Sequence, residues 1–156
     1  MRKIFLLCLI FMLFALSSCT SAKKVAVFKY VDIDDDCKMT YKATFFSDNT
    51  FVVHCKGDDK TVTIIEKCDY DFFSGTYSGE ATKDGEIILT ITKEPDWKRN
   101  SEYFEQILAE NKKVFKRTHK TYFLKEIDSP ESEKTSIQNG KITIDGDEYK
   151  RVLSFL

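Results

Sequence analysis

Short runs in which apolar and polar residues alternate constrain the fold of this chain more than any other feature of its sequence. Every second residue is apolar from Tyr41 to Phe45, from Phe51 to Cys55 and from Ile87 to Ile91. Successive side chains of a β-strand point to opposite faces, so a period of two predicts strands with one buried face. The chain is therefore expected to build its core from a sheet.

The segments between these runs carry residues that favour tight turns. They are Ser47-Asp48-Asn49, Lys56-Gly57-Asp58-Asp59, Asp84-Gly85, Asn139-Gly140 and Asp145-Gly146. About eight or nine short strands joined in sequence order predict a mainly β fold, an antiparallel up-and-down meander that closes into a small β-barrel, because closure removes exposed strand edges. An open, strongly curved sheet wrapped on one helix is the alternative.

One packed α-helix is predicted to interrupt the meander at about residues 101–113. Ser101 is the expected N-cap, since its hydroxyl can accept a hydrogen bond from a free N–H of the first turn. The apolar residues that recur at helical spacing and are expected to face the barrel are Tyr103, Phe104, Ile107 and Leu108. Strands are then predicted at Thr118 to Ile127, Lys141 to Ile144 and Glu148 to Leu153.

The N-terminus carries the pattern of an exported protein. Arg2 and Lys3 precede an apolar run from Ile4 to Leu16. As a helix this run spans about 20 Å at ~1.5 Å per residue, which is short for a hydrocarbon core of roughly 30 Å. Leu16-Ser17-Ser18-Cys19 follows the order aliphatic, small, small, cysteine, so the segment resembles a bacterial lipoprotein signal peptide. The resemblance implies that residues 1–18 are removed and that Cys19 carries a covalent lipid such as palmitate.

The predicted organisation is a signal peptide (1–18), a lipidated tether (19–24) and a single β-barrel domain (25–156). Loss of Arg2 and Lys3 takes the formal net charge from −1 to about −3, so the chain lacks the basic footprint that nucleic acid requires. The resemblance implies a lipid-anchored protein of the cell envelope. Thr20 after Cys19, in place of the aspartate that retains such proteins at the inner membrane, favours the outer membrane.

The mature domain keeps three cysteines besides Cys19, namely Cys37, Cys55 and Cys68. An exported protein lies where disulfides form, and an odd number predicts one bridge and one remaining thiol. Simple hairpin register sets Cys37 and Cys55 near one end of the sheet, so this pair is the predicted disulfide. The cysteines form no C-x-x-C pair, so a zinc site is not expected.

No segment carries a pattern of residues typical of catalysis or metal binding. His54 and His119 have no acid or nucleophile beside them in sequence that would form a triad, and His54 is expected to face solvent. Asp32-Ile33-Asp34-Asp35-Asp36 begins like a calcium loop, but the positions that need glycine and glutamate hold Cys37 and Ala43. We therefore expect a non-catalytic protein with no metal and no cofactor other than the lipid.

Aromatic residues on the apolar faces are the remaining candidates for a binding site. Those predicted to line the barrel interior are Tyr41, Phe45, Phe51, Phe73, Tyr77 and Tyr122. A barrel of about eight strands is either filled by its own side chains or just wide enough for one small ligand. So many large rings favour a filled interior, and the ligand cavity stays open as the alternative.

Three segments carry a family resemblance. Residues 43–51 (ATFFSDNTF), 74–79 (SGTYSG) and 84–92 (DGEIILTIT) are similar to bacterial lipocalin-like lipoproteins. That pattern is an aromatic strand, a turn into "TF", a G-x-Y strand and an acid-Gly turn into "I-x-L-T". The resemblance implies a barrel that takes an apolar ligand.

The predicted function is therefore a membrane-anchored, non-catalytic binding module for a small apolar ligand or for a host or envelope protein. The alternative is an envelope inhibitor of a foreign hydrolase, or a surface adhesin. Both place the protein at the membrane through its lipid rather than through a spanning segment.

The lipidation site gives a direct test. Changing Cys19 to Ala should abolish metabolic labelling by radioactive palmitate and leave unprocessed precursor, because the acylated residue is gone. Labelling that persists in the Cys19→Ala chain would contradict the assignment of the site.

Overall fold

The computed structural model describes residues 22–34, 37–59, 67–110, 118–119 and 122–152. The predicted signal peptide and Cys19 lie outside these residues. The elements are β1 (Lys24–Asp34), β2 (Cys37–Phe46), β3 (Thr50–Asp59), β4 (Lys67–Gly79), β5 (Gly85–Pro95), α1 (Trp97–Glu110), β6 (Thr118–His119), β7 (Leu124–Glu126), β8 (Ser132–Ile137), β9 (Lys141–Ile144) and β10 (Asp147–Arg151).

The predicted fold class, mainly antiparallel β with one helix, is confirmed. Strands β1 to β5 form a meander, and the sheet runs in the order β7-β5-β4-β3-β2-β1-β10-β9. β8 also pairs with β5, and the short β6 lies parallel to β4. The sheet curls into a half-barrel and is not fully closed. The register between β10 and β1 holds two pairs, Phe28 with Arg151 and Lys29 with Lys150.

One end of the half-barrel is drawn together by Asp84, and we call it the closed end. The Asp84 carboxylate accepts hydrogen bonds from the N–H groups of Asn139 at 2.6 Å and Gly140 at 3.2 Å. Its Oδ1 also lies 3.7 Å from Nη2 of Arg151. One side chain in the β4–β5 connection thus binds the β8–β9 turn and the end of β10, so strands from the two sides of the sheet meet there.

Packed aromatic rings fill the interior near the closed end. The Phe45 ring lies 5.6 Å from Phe28, 5.5 Å from Phe51 and 5.0 Å from Tyr77, centroid to centroid. Phe28, Phe45 and Phe51 are completely buried. The Tyr77 hydroxyl donates to the carbonyl of Phe46 at 2.8 Å, so its polar atom is satisfied as well. Burial of rings this size stabilises the fold by roughly 1.5–3 kcal/mol each.

The helix begins earlier than the sequence predicts. α1 starts at Trp97, and Asp96 is its N-cap, because Asp96 Oδ1 accepts the N–H of Arg99 at 3.1 Å. The predicted cap, Ser101, is an exposed residue inside the helix, so that prediction is wrong. Tyr103 and Phe104 are half-buried as expected. Residues 111–113 and the side chains of Ile107 and Leu108 lie outside what the structure describes.

Two strand predictions differ from the structure in the C-terminal part. The predicted strand from Thr118 to Ile127 is divided into β6 and β7. β8 was not predicted, because its sequence SEKTSI is polar and five of its residues are exposed or half-buried. Pairing with β5 orders this polar segment, and only Ile137 at its end enters the core.

Gly75 offers a test of how closely the strands approach. It lies buried in β4 opposite Phe51 and Ile91, and a Cβ there would overlap the backbone carbonyl of Thr90. Changing Gly75 to Ala should therefore lower the free energy of unfolding by about 1–3 kcal/mol or more, measured by urea unfolding. The matched control is Ser78→Ala on the exposed face of β4, expected within about 0.5 kcal/mol of the parent. Equal stability of the two variants would show that the sheet is looser than described.

Candidate functional site

The end of the half-barrel opposite Asp84 is lined by aromatic side chains that are not fully covered, and we call it the open end. β1 ends there, and β2, β4 and β10 begin there. The rings lie on four strands or segments and on the first residue of α1. We call them the open-end cluster: Tyr30, Tyr41, Tyr70, Phe72, Trp97 and Tyr122.

The rings of the open-end cluster form one continuous set of contacts. Tyr30 stacks on Tyr41 at 5.8 Å, and Tyr41 meets the edge of Phe72 at 5.6 Å. Phe72 lies 6.3 Å from Trp97 and 6.2 Å from Tyr122. Tyr70 joins through a close stack on Tyr122 at 4.0 Å. The offset and edge-to-face arrangements are those that aromatic pairs prefer, so the surface is built and held by its own contacts.

A β-bulge brings Phe72 into this cluster. Val53 pairs with Phe73, whereas the next residue, His54, pairs with Asp71, so Phe72 is an extra residue on β4. Phe73 is buried in the core of the closed end, and Phe72 remains partly exposed beside it. Strict alternation along a strand would point adjacent side chains to opposite faces of the sheet. The bulge instead lets Phe73 pack in the closed end while Phe72 packs in the open-end cluster.

The first turn of α1 fixes the position of Trp97. The buried Asn100 donates through Nδ2 to the carbonyl of Phe123 at 2.9 Å and accepts the N–H of Phe123 at 2.8 Å. The Arg99 guanidinium lies 3.9 Å from the Phe123 ring centre. The helix start is thus bound to the segment that carries Tyr122. Trp97 is held at the rim with 63% of its surface exposed.

Three tyrosines of the cluster remain neutral phenols rather than acids. Burial raises the pKa of Tyr41, Tyr70 and Tyr122 well above the usual value, so each keeps its proton. The Cys55 thiol beside Tyr41 and the Cys68 thiol beside Tyr70 raise these pKa values further, each as a smaller cause than burial. The exposed character of the surface is therefore that of neutral aromatic rings.

Cys55 and Cys68 lie beneath the cluster with Met39, and both are buried. Burial is the largest cause, and the neighbouring Cys68 the second, of a rise in the pKa of the Cys55 thiol to about 12. Because the thiolate is the reactive form of cysteine, Cys55 is a poor nucleophile at neutral pH. Its chemistry is that of a small apolar side chain in a packed interior.

The predicted disulfide between Cys37 and Cys55 stays a prediction. In the structure Cys37, Cys55 and Cys68, all within the described residues, are in the thiol form. Cys37 pairs with Asp59 and Cys55 with Tyr41. The two cysteines are thus offset by four residues along the hairpin, about 13 Å at ~3.3 Å per residue, whereas a bridge needs Cα atoms within roughly 7 Å.

The residues predicted to line a cavity are divided between the two ends. Phe45, Phe51, Phe73 and Tyr77 lie in the filled core, whereas Tyr41 and Tyr122 belong to the open-end cluster. Tyr30, Tyr70, Phe72 and Trp97 were not singled out from the sequence. The sequence carries a signal for two of them: alternation continues from Phe28 to Tyr30, and Trp97 is the single tryptophan of the chain.

His54 lies on the outer face, as expected, but it is not simply solvated. Its Nδ1 is 2.9 Å from Asp71 Oδ1, and its Nε2 is 2.9 Å from Asp69 Oδ1. Both contacts can be hydrogen bonds only when the ring carries two protons. Sequence reasoning missed these partners because they come from β4. Lys56 Nζ lies 3.7 Å from Asp69 Oδ2, so His54 belongs to a network of polar side chains on the outer face.

Within the described residues, no helix has the length and apolar character needed to cross a membrane. Among the same residues, no group of three or more His, Cys, Asp or Glu side chains could hold a metal ion.

The raised pKa of Cys55 can be tested by alkylation. At pH 8, iodoacetamide should modify Cys55 about a thousand-fold more slowly in the folded chain than in urea, since a pKa of about 12 against ~8.5 unfolded leaves almost no thiolate. Peptide-resolved mass spectrometry gives the rate, with the half-buried Cys37 as the internal control. Similar rates in buffer and in urea would contradict the burial of this thiol.

No family model, no curated protein and no solved structure matches the chain.

Proposed function

We propose that this protein is a lipid-anchored, non-catalytic binding module that holds a protein partner on the aromatic surface of its open end. The observation that carries the proposal is the division of the interior: side chains fill the closed end, while the open-end cluster stays partly exposed around Trp97. Tyrosine and tryptophan rings of this kind dominate protein interfaces, because they bury much apolar area for little lost side-chain entropy.

The packing favours a protein partner over an enclosed apolar ligand. Phe28, Phe45 and Phe51 occupy the place where a lipocalin-like ligand would lie, and each is completely buried. An apolar surface at a rim suits a partner that covers it from outside. A small apolar ligand stays the second candidate, bound flat on the rings instead of inside the barrel.

The position of the chain start supports a role away from the membrane. β1 begins with Lys24 at the closed end and finishes with Asp34 at the open end. Its ten steps of about 3.3 Å span roughly 33 Å. A lipid on Cys19 would hold the closed end near the bilayer, because the five steps from Cys19 to Lys24 span at most about 18 Å at ~3.5 Å per residue. The open-end cluster would then face outward.

Site-specific photo-crosslinking in the native host tests the proposal. Benzoylphenylalanine at position 97 should give a discrete protein adduct, because Trp97 lies at the rim. The same probe at Ile88 is the matched control, since Ile88 is also an exposed apolar residue, 42% exposed, but on the outer face of β5. The expected result is an adduct at position 97 that is at least tenfold stronger than at position 88.

Two outcomes would contradict the proposal. Equal crosslinking at both positions would mean that the open end is not a preferred surface. A lipid-sized mass that co-purifies with the full chain in native mass spectrometry, and that is lost on Trp97→Ala, would instead support the small apolar ligand.

A further inference from the structure

Three sulfur-bearing side chains surround one glycine beneath the open-end cluster. Gly57 of β3 pairs with Met39 of β2 on one side and with Cys68 of β4 on the other. Cys55 lies two residues before Gly57, so both residues are on the same face of the sheet. Met39, Cys55 and Cys68 are each at most 7% exposed, and they form one packed cluster. The interior of the open end therefore holds two thiols and a thioether around a residue that has no side chain.

The glycine lets these sulfur atoms approach one another. Met39 Sδ lies 2.9 Å from the position that a Cβ of Gly57 would take, so the thioether uses the space of the missing side chain. Directly opposed Cα atoms lie about 4.5–5.5 Å apart, and Cα atoms two residues apart on a strand lie about 6.6 Å apart. Cys68 is also near enough to Cys55 to act on the pKa of its thiol. The three side chains can therefore meet above Gly57.

Two thiols and a thioether are soft ligands. Thiolate and thioether sulfur favour Cu(I), whereas a structural Zn²⁺ site takes four ligands from cysteine, histidine or carboxylate side chains. Among the described residues, Cys55 and Cys68 belong to no group of three or more His, Cys, Asp or Glu side chains that could hold a metal ion. The third donor here is the thioether of Met39, so the set suits Cu(I) and does not suit Zn²⁺.

A cleft gives this cluster an entry path. The cleft has a volume of about 620 Å³, and its lining includes Thr40, Gly57, Lys67 and Cys68. Thr40 is half-buried and Lys67 is exposed, so the cleft runs from the surface to the glycine and one of the thiols. A metal site in a folded protein needs such a path.

We propose that Cys55, Cys68 and Met39 form a binding site for Cu(I). Two Cu–S bonds replace the two S–H bonds, the two protons pass to solvent, and the Met39 thioether donates a lone pair as the third ligand. No electron is transferred, so copper stays in the Cu(I) state. Tyr41 and Tyr70, which pair with Cys55 from the two neighbouring strands, help to exclude water from the ion. The site is separate from the partner surface and does not rest on the proposed function.

Competition with the chromogenic Cu(I) chelator bathocuproine disulfonate tests the site. The full chain is kept reduced and without oxygen in mild detergent, and every variant carries Cys8→Ser and Cys19→Ser so that the three cysteines of the domain remain. We expect the chain to hold one Cu(I). Cys55→Ser and Cys68→Ser should each bind at least a hundredfold more weakly, because a thiolate is lost. Met39→Leu, which nearly conserves volume, should bind at least tenfold more weakly.

Cys37→Ser is the matched control. Cys37 is a half-buried thiol that packs against the same cluster, but it is not one of the three proposed ligands. Its replacement should leave the affinity for Cu(I) within threefold of the parent. Thermal unfolding of the metal-free chains verifies that each variant is folded, and Cu(I) should raise the melting temperature of the parent but not that of Cys68→Ser. X-ray absorption of the loaded chain should show coordination by sulfur alone.

Several results would overturn the site. One is failure of the reduced parent chain to take Cu(I) from the chelator, and another is equal affinity in the parent and in folded Cys68→Ser or Met39→Leu. Loss of binding in Cys37→Ser, or displacement of Cu(I) by an equal concentration of Zn²⁺, would overturn the ligand assignment. A Cys55–Cys68 disulfide that forms in air, with no Cu(I) uptake after its reduction, would show that the two thiols form a bridge instead of a metal site.

Discussion

The packing of Phe45 against three other rings is the interaction on which the rest of the structure depends. Phe28, Phe51 and Tyr77 reach it from β1, β3 and β4, so one side chain on β2 connects four strands of the meander. Removing a ring of this kind from a core typically costs about 3–5 kcal/mol, a large part of the stability of a small domain. The curl of the sheet, and therefore the open end, depends on this contact.

The two ends of the half-barrel differ because the constraints on them differ. At the closed end, Asp84 binds the β8–β9 turn and the interior is filled. At the open end, β1 and β10 separate, and the rings there pack on one another at a rim. A domain with one solid end can keep an apolar surface partly exposed at the other, since its stability comes from elsewhere.

The sequence predicted the meander because alternation and turn residues are local signals. Tyr41 to Phe45, the turn at Ser47-Asp48-Asn49 and Phe51 to Cys55 form the expected hairpin. β8 could not be predicted, since its polar residues are ordered by pairing with β5 and not by burial. The Asp96 cap was missed because the helix begins at Trp97, ahead of the periodic apolar residues.

The candidate site was only partly predictable, because its geometry also depends on pairing between strands rather than on local signals. Tyr41 and Tyr122 were identified as inward aromatics, but the choice between a filled interior and an open surface depends on tertiary register. The bulge that separates Phe72 from Phe73, and the point at which β10 leaves β1, have no signature in the residues themselves. His54 shows the same limit, since its partners lie on the neighbouring strand.

The central claim is that the open end is the binding surface. Because the chain has a single tryptophan, Trp97, one direct measurement tests this claim. The full chain labelled with 5-fluorotryptophan has one ¹⁹F resonance, from Trp97, which can be recorded before and after addition of unlabelled envelope extract from the native host. The account predicts a shifted or broadened resonance once the extract forms a complex with the chain. Formation of that complex with the resonance unchanged would contradict it.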